Sequence, residues 1–333
     1  MATASYHNYI NSIRGTSGVF WLASSLIFGI LFYIAIRRLQ KLSPQEEDAS
    51  KRSSDHPEAM TLEEAYRIKT RIAERDFPLV FSTATNSVFF KAEGIPSVAK
   101  LVARAAQRSS SSSSSRKKGP SVAPLDLLTR PGAAARQAAI DRVNYIHSFY
   151  RPSGKMSDDD LLYVLSLFAL EPSRWIARFE WRQLTARERA ALATLWRALG
   201  EELRIPFTRL PSSCNRAQKQ EQGQGQGQEE EGFRDALHWL SELEDWACEY
   251  ERTHREKTPE SVFLGQKQLD GWMEGIQPGF ARRWARGWVA VLIEPGLRRV
   301  MGIENPSAID VALMESVIYV RKLIRRCLYA SWH

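Results

Sequence analysis

The sequence predicts an all-α protein in which one N-terminal transmembrane helix precedes a single globular helical domain. Three observations carry that expectation. Residues 18–36 form an uncharged, apolar run (GVFWLASSLIFGILFYIAI) closed by Arg37, Arg38 and Lys41. The chain beyond it repeats apolar residues at helical spacing behind helix-capping signals. No stretch alternates apolar and polar residues as a half-buried strand does.

A helix of about 20 apolar residues spans the hydrocarbon core of a bilayer. Trp21 and Tyr33 lie near the two ends of the run, where aromatic rings favour the membrane interface. Arg14 is the basic residue ahead of the run, whereas Arg37, Arg38, Lys41, Lys51 and Arg52 follow it. The positive-inside rule then makes residues 1–17 a short luminal tail and puts the rest in the cytosol. A cleaved signal peptide would carry its basic region first, and here the order is reversed. Residues 37–60 read as a basic, polar stalk and 61–333 as the domain.

Within the domain, Thr61 is placed to cap a helix over 61–75, with Glu64 three residues on and Leu62, Ala65, Ile68 and Ile72 on one face. Residues 77–90 are apolar and dense in Phe, until Gly94, Ile95 and Pro96 break the run. A further helix is expected over 97–106. Residues 107–124 hold a serine tract followed by Arg116, Lys117, Lys118, Gly119 and Pro120, too polar to order itself. Residues 133–150 read as one helix. Ser157 opens the next, with Asp158, Asp159 and Asp160 complementing the helix dipole. Residues 161–170 (LLYVLSLFAL) are apolar all round and too short to span a membrane. They are expected to form a buried central helix that Pro172 interrupts. Thr185 and Glu188 make a capping box for a helix to about 203. Residues 218–231 alternate Gln and Gly before an acidic run. Their Gly-x-Gly pattern follows no strand and is no dinucleotide loop. A long helix rich in Trp and Leu is expected over 233–255, and Ser307 with Asp310 opens the last, ending near 329.

Composition excludes several classes. Three cysteines, Cys214, Cys248 and Cys327, are widely spaced and odd in number, which speaks against a disulfide framework and a zinc site. The net charge of +8 comes from arginines scattered among glutamates, the pattern of solvated helix faces attracted to anionic lipid. No nucleic-acid-binding module accompanies it. Nucleophile-elbow, phosphate-loop and His-Glu-x-x-His signatures are missing.

Of six histidines, His7, His56 and His333 lie in the tail, the stalk and the last position, and His254 at a charged helix end. His147 and His238 remain. Ile140, Val143, His147 and Tyr150 recur at helical spacing, so His147 projects from an inward stripe. Two readings stay open for it: a core histidine bonded to a backbone carbonyl, or an axial haem ligand, since neutral imidazole donates one nitrogen to iron. His238 lies one turn after Asp235, which is placed to pair with it; otherwise it reads as a surface or boundary histidine. Arg174 and Arg178 are one turn apart, as an arginine pair holding haem propionates would be. Salt bridging to Glu171 or Glu180 is the competing reading.

Three blocks carry a resemblance. They are Val143 to Arg151 (VNYIHSFYR), Lys155 to Trp175 (KMSDDDLLYVLSLFALEPSRW) and Phe179 to Thr185 (FEWRQLT), supported by EAYR at 64–67, ERDFP at 74–78, GIPS at 94–97 and FRDALHWL at 233–240. Together they resemble the fungal ER-bound oxygenase mpaB family, whose wider superfamily includes the bacterial rubber oxygenase, or latex-clearing protein. The resemblance implies an all-helical, haem b-binding domain at the endoplasmic reticulum membrane. It also implies dioxygen-dependent cleavage of a carbon–carbon double bond in the isoprenoid chain of a lipophilic, prenylated small molecule. It places His147 as the proximal haem ligand. Lys117 and Ser121 fall where the family carries an Arg and a Thr near the distal face. Gly119, Pro120 and Pro124 disfavour a helix there, so a catalytically degenerate, membrane-tethered helical scaffold is the alternative.

Overall fold

The computed structural model describes residues 60–111, 122–213 and 233–330, apart from 275, 277 and 278. The expected anchor at 18–36 lies outside these residues. Among the described residues no helix is long and apolar enough to cross a membrane, and none is in a strand.

The chain opens with α1 (Leu62–Thr70), whose N-cap Thr61 accepts from the Glu64 amide. A π-helical turn, Arg71–Asp76, leads into α2 (Pro78–Ala92), with proline at its first position. Proline fits there because the first turn's amides have no helical acceptor. The Phe-dense run is thus a helix, and α3 (Pro96–Ser111) follows it after the short Gly94 turn. The low-complexity stretch is shorter than expected, because α3 occupies it to Ser111 and α4 (Val122–Thr129) begins before its end. Pro124 does not prevent α4. It sits in the first turn, where a missing N–H breaks no hydrogen bond.

After α5 (Ala134–Tyr150) comes α6 (Asp158–Phe179), the centre of the fold. Ser157 and Asp160 form a reciprocal capping box at its start. Leu162, Tyr163, Leu167 and Ala169 are fully buried, and α6 packs against α2, α7 (Ala186–Glu202) and α8 (Ala236–His254). Pro172 does not interrupt it, for the helix continues to Phe179. Burial of Ile176 and Phe179 outweighs the roughly 3 kcal/mol that an interior proline costs a helix. Thr185 and Glu188 form the expected capping box of α7. Where α7 crosses α6, a Cβ on Gly200 would sit 2.6 Å from the Leu165 side chain, so only glycine permits that approach.

A second, smaller core joins Phe90 to Leu269, Ile293, Leu297 and Met301. Its helices are α9 (Pro259–Trp272), α10 (Gly279–Leu292) and α11 (Pro295–Val300). The last helix, α12 (Ala308–Ala330), packs on α10. Arg321 donates to the Phe179 carbonyl and pairs with Glu180, and the Lys322 ammonium donates to the Arg178 carbonyl. Cations at the C-terminus of α6 both satisfy its last carbonyls and complement its dipole.

Candidate functional site

His147 lies near the C-terminus of α5, on the stripe with buried Ile140 and half-buried Val143 and Tyr150. Asn144, on the same side, donates to the Glu202 carbonyl and fixes the helix against α7. The imidazole is half-buried and its Nδ1 is sealed from solvent with no hydrogen-bond partner. Burial, helped by the positive charge of Arg151, lowers its pKa below the usual value and holds the ring neutral. The other described histidines are committed. His238 accepts from the Arg234 amide at 3.2 Å and faces Glu242 at 3.2 Å. His254 stacks on Tyr250 at 4.2 Å and contacts Thr253. Asp235 does not pair with the His238 ring. Its carboxylate caps α8 by accepting from the His238 amide at 2.7 Å, because a residue at the N-cap meets backbone donors first.

A cavity of about 570 Å³ opens elsewhere, between α2, α6, α8, α9 and the α10–α11 turn. Phe90, Trp175, Phe179, Trp272, Leu292 and Ile293 supply apolar wall. At its side lies a buried charge cluster. The Lys91 ammonium is 3.0 Å from Glu171 and 2.9 Å from Glu251, with Glu294 at 4.0 Å. Arg174 reaches Glu171 at 3.1 Å and Glu244 at 3.0 Å, and Arg255 pairs with Glu251 at 2.8 Å. Burial pulls the Lys91 pKa down, but Glu171, Glu251 and Glu294 outweigh it and raise the pKa. The converse holds for Glu171, where burial pushes up and Lys91 with Arg174 pulls further down. The cluster is therefore ionised and internally matched, the condition under which buried charge is tolerated.

The predicted site residues fall in separate places. Arg174 and Arg178 both line the cavity, whereas His147 does not. Arg174 is held by carboxylates, and Arg178 donates to the carbonyls of Val291 and Leu292 at the end of α10. Lys117 and Ser121 lie outside the described residues. Sequence reasoning missed Lys91. The signal available was a single lysine directly after an apolar, Phe-rich run, which a buried helix accepts only when carboxylates surround it.

The sequence model of the family described as "ER-bound oxygenase mpaB/B'/Rubber oxygenase, catalytic domain" matches residues 87–325. The chain is 34% identical over 234 residues to an ER-bound oxygenase mpaB of Penicillium roqueforti (strain FM164), covering 69% of this chain and 70% of that protein. It is 29% identical over 271 residues to an ER-bound oxygenase mpaB' of Penicillium brevicompactum, covering 81% and 60%. A second relative from Penicillium brevicompactum, an ER-bound oxygenase mpaB, is 33% identical over 204 residues, 61% of this chain and 48% of that one. The chain thus aligns with 48% to 70% of these relatives' lengths. With a family match running from α2 through most of α12, this chain belongs to the ER-bound oxygenase mpaB/B'/rubber oxygenase family.

Proposed function

We propose that this protein is a membrane-held, haem-dependent oxygenase that cleaves a carbon–carbon double bond in the prenyl chain of a lipophilic small molecule. The observation that carries the reading is the state of His147. Among the described histidines its ring alone makes no hydrogen bond, and burial keeps it neutral. A neutral imidazole can donate a lone pair to iron, so His147 is the residue that would hold haem b. Bound haem would supply the dioxygen chemistry that no side chain here offers.

The rest falls to the chain's own groups. The aromatic and aliphatic cavity walls suit a prenyl chain and keep water from it. The fixed charges of Lys91, Glu171 and Arg174 at its side would orient a polar head group. Trp272 belongs to that wall. The relatives' names place them at the endoplasmic reticulum. The apolar run 18–36 would hold this chain at that membrane, with the helical domain toward the cytosol.

The test is the absorption spectrum of the full chain, purified in detergent from cells supplied with a haem precursor, beside His147→Ala. A Soret band in the parent, lost or shifted in a mutant with unchanged helical circular dichroism, is the expected result. A folded, helical parent without the band would leave the chain as a catalytically silent, tethered member of the fold.

A further inference from the structure

We infer that α12, together with the neighbouring α10, is a lipid-docking surface, separate from the apolar run at 18–36. Ile309, Leu313, Val317, Val320 and Ile324 recur at helical spacing on α12, and all are exposed, Ile309 at 69% and Ile324 at 53%. Tyr319 and Leu323 widen the same face. The opposite face is the one that packs. Ile318 joins the main core, Arg321 pairs with Glu180, and Lys322 caps α6. The helix is thus amphipathic in the inverted sense, with its polar anchors toward protein and its aliphatic side toward the outside. Contiguous exposed apolar surface of this kind marks an interaction site.

Charge identifies the occupant. The adjoining α10 carries Arg282, Arg283 and Arg286 and no acidic residue; Arg282 and Arg286 share Asp270 of α9 at 3.3 and 3.6 Å, and Arg283 is exposed. α12 adds Arg325 and Arg326 in its C-terminal half, beyond Arg321 and Lys322, against Asp310 and Glu315 nearer its start. Asp310 is already used in capping through Ser307. Trp284, 57% exposed on α10, and Tyr319, 63% exposed on α12, are the ring types that settle at the headgroup level. An apolar helix face, interfacial aromatics and surrounding arginines match a bilayer surface bearing anionic headgroups. A coiled-coil partner would call for a narrower seam than a face this wide.

The docking surface is tied to the cavity wall. Lys322 holds the Arg178 carbonyl, and the Arg178 guanidinium holds the end of α10, which lines the cavity. Lipid contact at α12 would therefore set that wall at the bilayer surface. This consequence for substrate access rests on the oxygenase reading, whereas the docking itself does not.

The test places a nitroxide at Val320 in the full chain with Cys214, Cys248 and Cys327 replaced by serine, and a second at Ile324 as an independent position. A label at exposed, polar Arg189 on α7 serves as reference. Accessibility to oxygen and to a water-soluble nickel chelate is read in vesicles of phosphatidylcholine mixed with phosphatidylserine. Several-fold higher oxygen than nickel accessibility at 320 and 324, with the reverse at 189, is the expected result. Nickel access at 320 and 324 equal to that at 189 would overturn the inference. Exclusion of both reagents would also overturn it, in favour of protein cover by a second copy or another segment. Arg325→Glu with Arg326→Glu should lower the oxygen preference in the phosphatidylserine vesicles. An unchanged preference would remove the arginines from the surface.

Discussion

The helices α6 and α12 are similar in length, 22 and 23 residues, and both are rich in aliphatic side chains, yet they do opposite things with them. The aliphatic residues of α6 from Leu161 to Leu170 are buried, except for half-buried Val164, between α2, α7 and α8. α12 turns Ile309, Val317, Val320 and Ile324 outward and binds the fold through Ile318, Arg321 and Lys322. Apolar content alone does not say whether a helix builds a core. What separates the two is where the polar residues fall. In α6 they cap the start or, like Glu171, meet a buried cation. In α12 Arg321 and Lys322 supply inward contacts.

Mutation should expose that difference. The largest effect is expected where α6 carries charge. Lys91→Met leaves Glu171, Glu251 and Glu294 facing one another, with Arg174 and Arg255 as remaining cations. Removing one partner of a buried ion cluster should destabilise by about 3–5 kcal/mol, read as a lowered urea midpoint by circular dichroism. A loss under about 1 kcal/mol would mean that the two arginines already neutralise the cluster. Leu167→Ala, at a fully buried position, should cost about 2–5 kcal/mol through lost burial and a cavity.

Glu93 offers a pH-dependent contrast within the smaller core's border. It is 3% exposed. Burial pushes its pKa up to about 7 from 4.5, against partial relief from the Gln268 hydrogen bond and the charge of Lys267. A raised folded pKa means that the native state binds the proton more tightly. Stability from this group is full below pH 4.5 and is lost as pH rises through about 7, by roughly 3 kcal/mol. Unfolding midpoints measured across that window should fall with pH in the parent and flatten in Glu93→Gln. The smallest effect belongs to α12. Val320→Ser removes an exposed side chain and should change stability by no more than about 0.5 kcal/mol. A loss comparable to Leu167→Ala would show that α12 is covered within the fold and would erase the comparison.

Much of the fold was legible because helical periodicity and capping are local. Thr61, Ser157, Thr185 and Ser307 cap as their spacing predicts, and the 161–170 segment is the buried centre that its unbroken apolar pattern implies. Pro172 misled because propensity is weighed against packing that the chain pattern does not display. Pro124 misled because its effect depends on whether it lies in a helix's first turn. At the site, the reading of His147 as a haem ligand rests on the family resemblance, whereas its helical stripe was legible from spacing. The Lys91 cluster was not, since its partners come from Glu171, Glu251 and Glu294, which are far apart in the chain.

By itself the sequence determined the all-helical class and the central helix, set by periodicity and caps along one chain, and the family, set by its matching blocks. Tertiary structure alone decided that Arg174 and Arg178 line a cavity apart from His147, that Lys91 is surrounded by carboxylates, and which face of α12 turns outward. Those depend on how helices cross, and crossing is fixed by complementary side chains distant in sequence that no local pattern encodes.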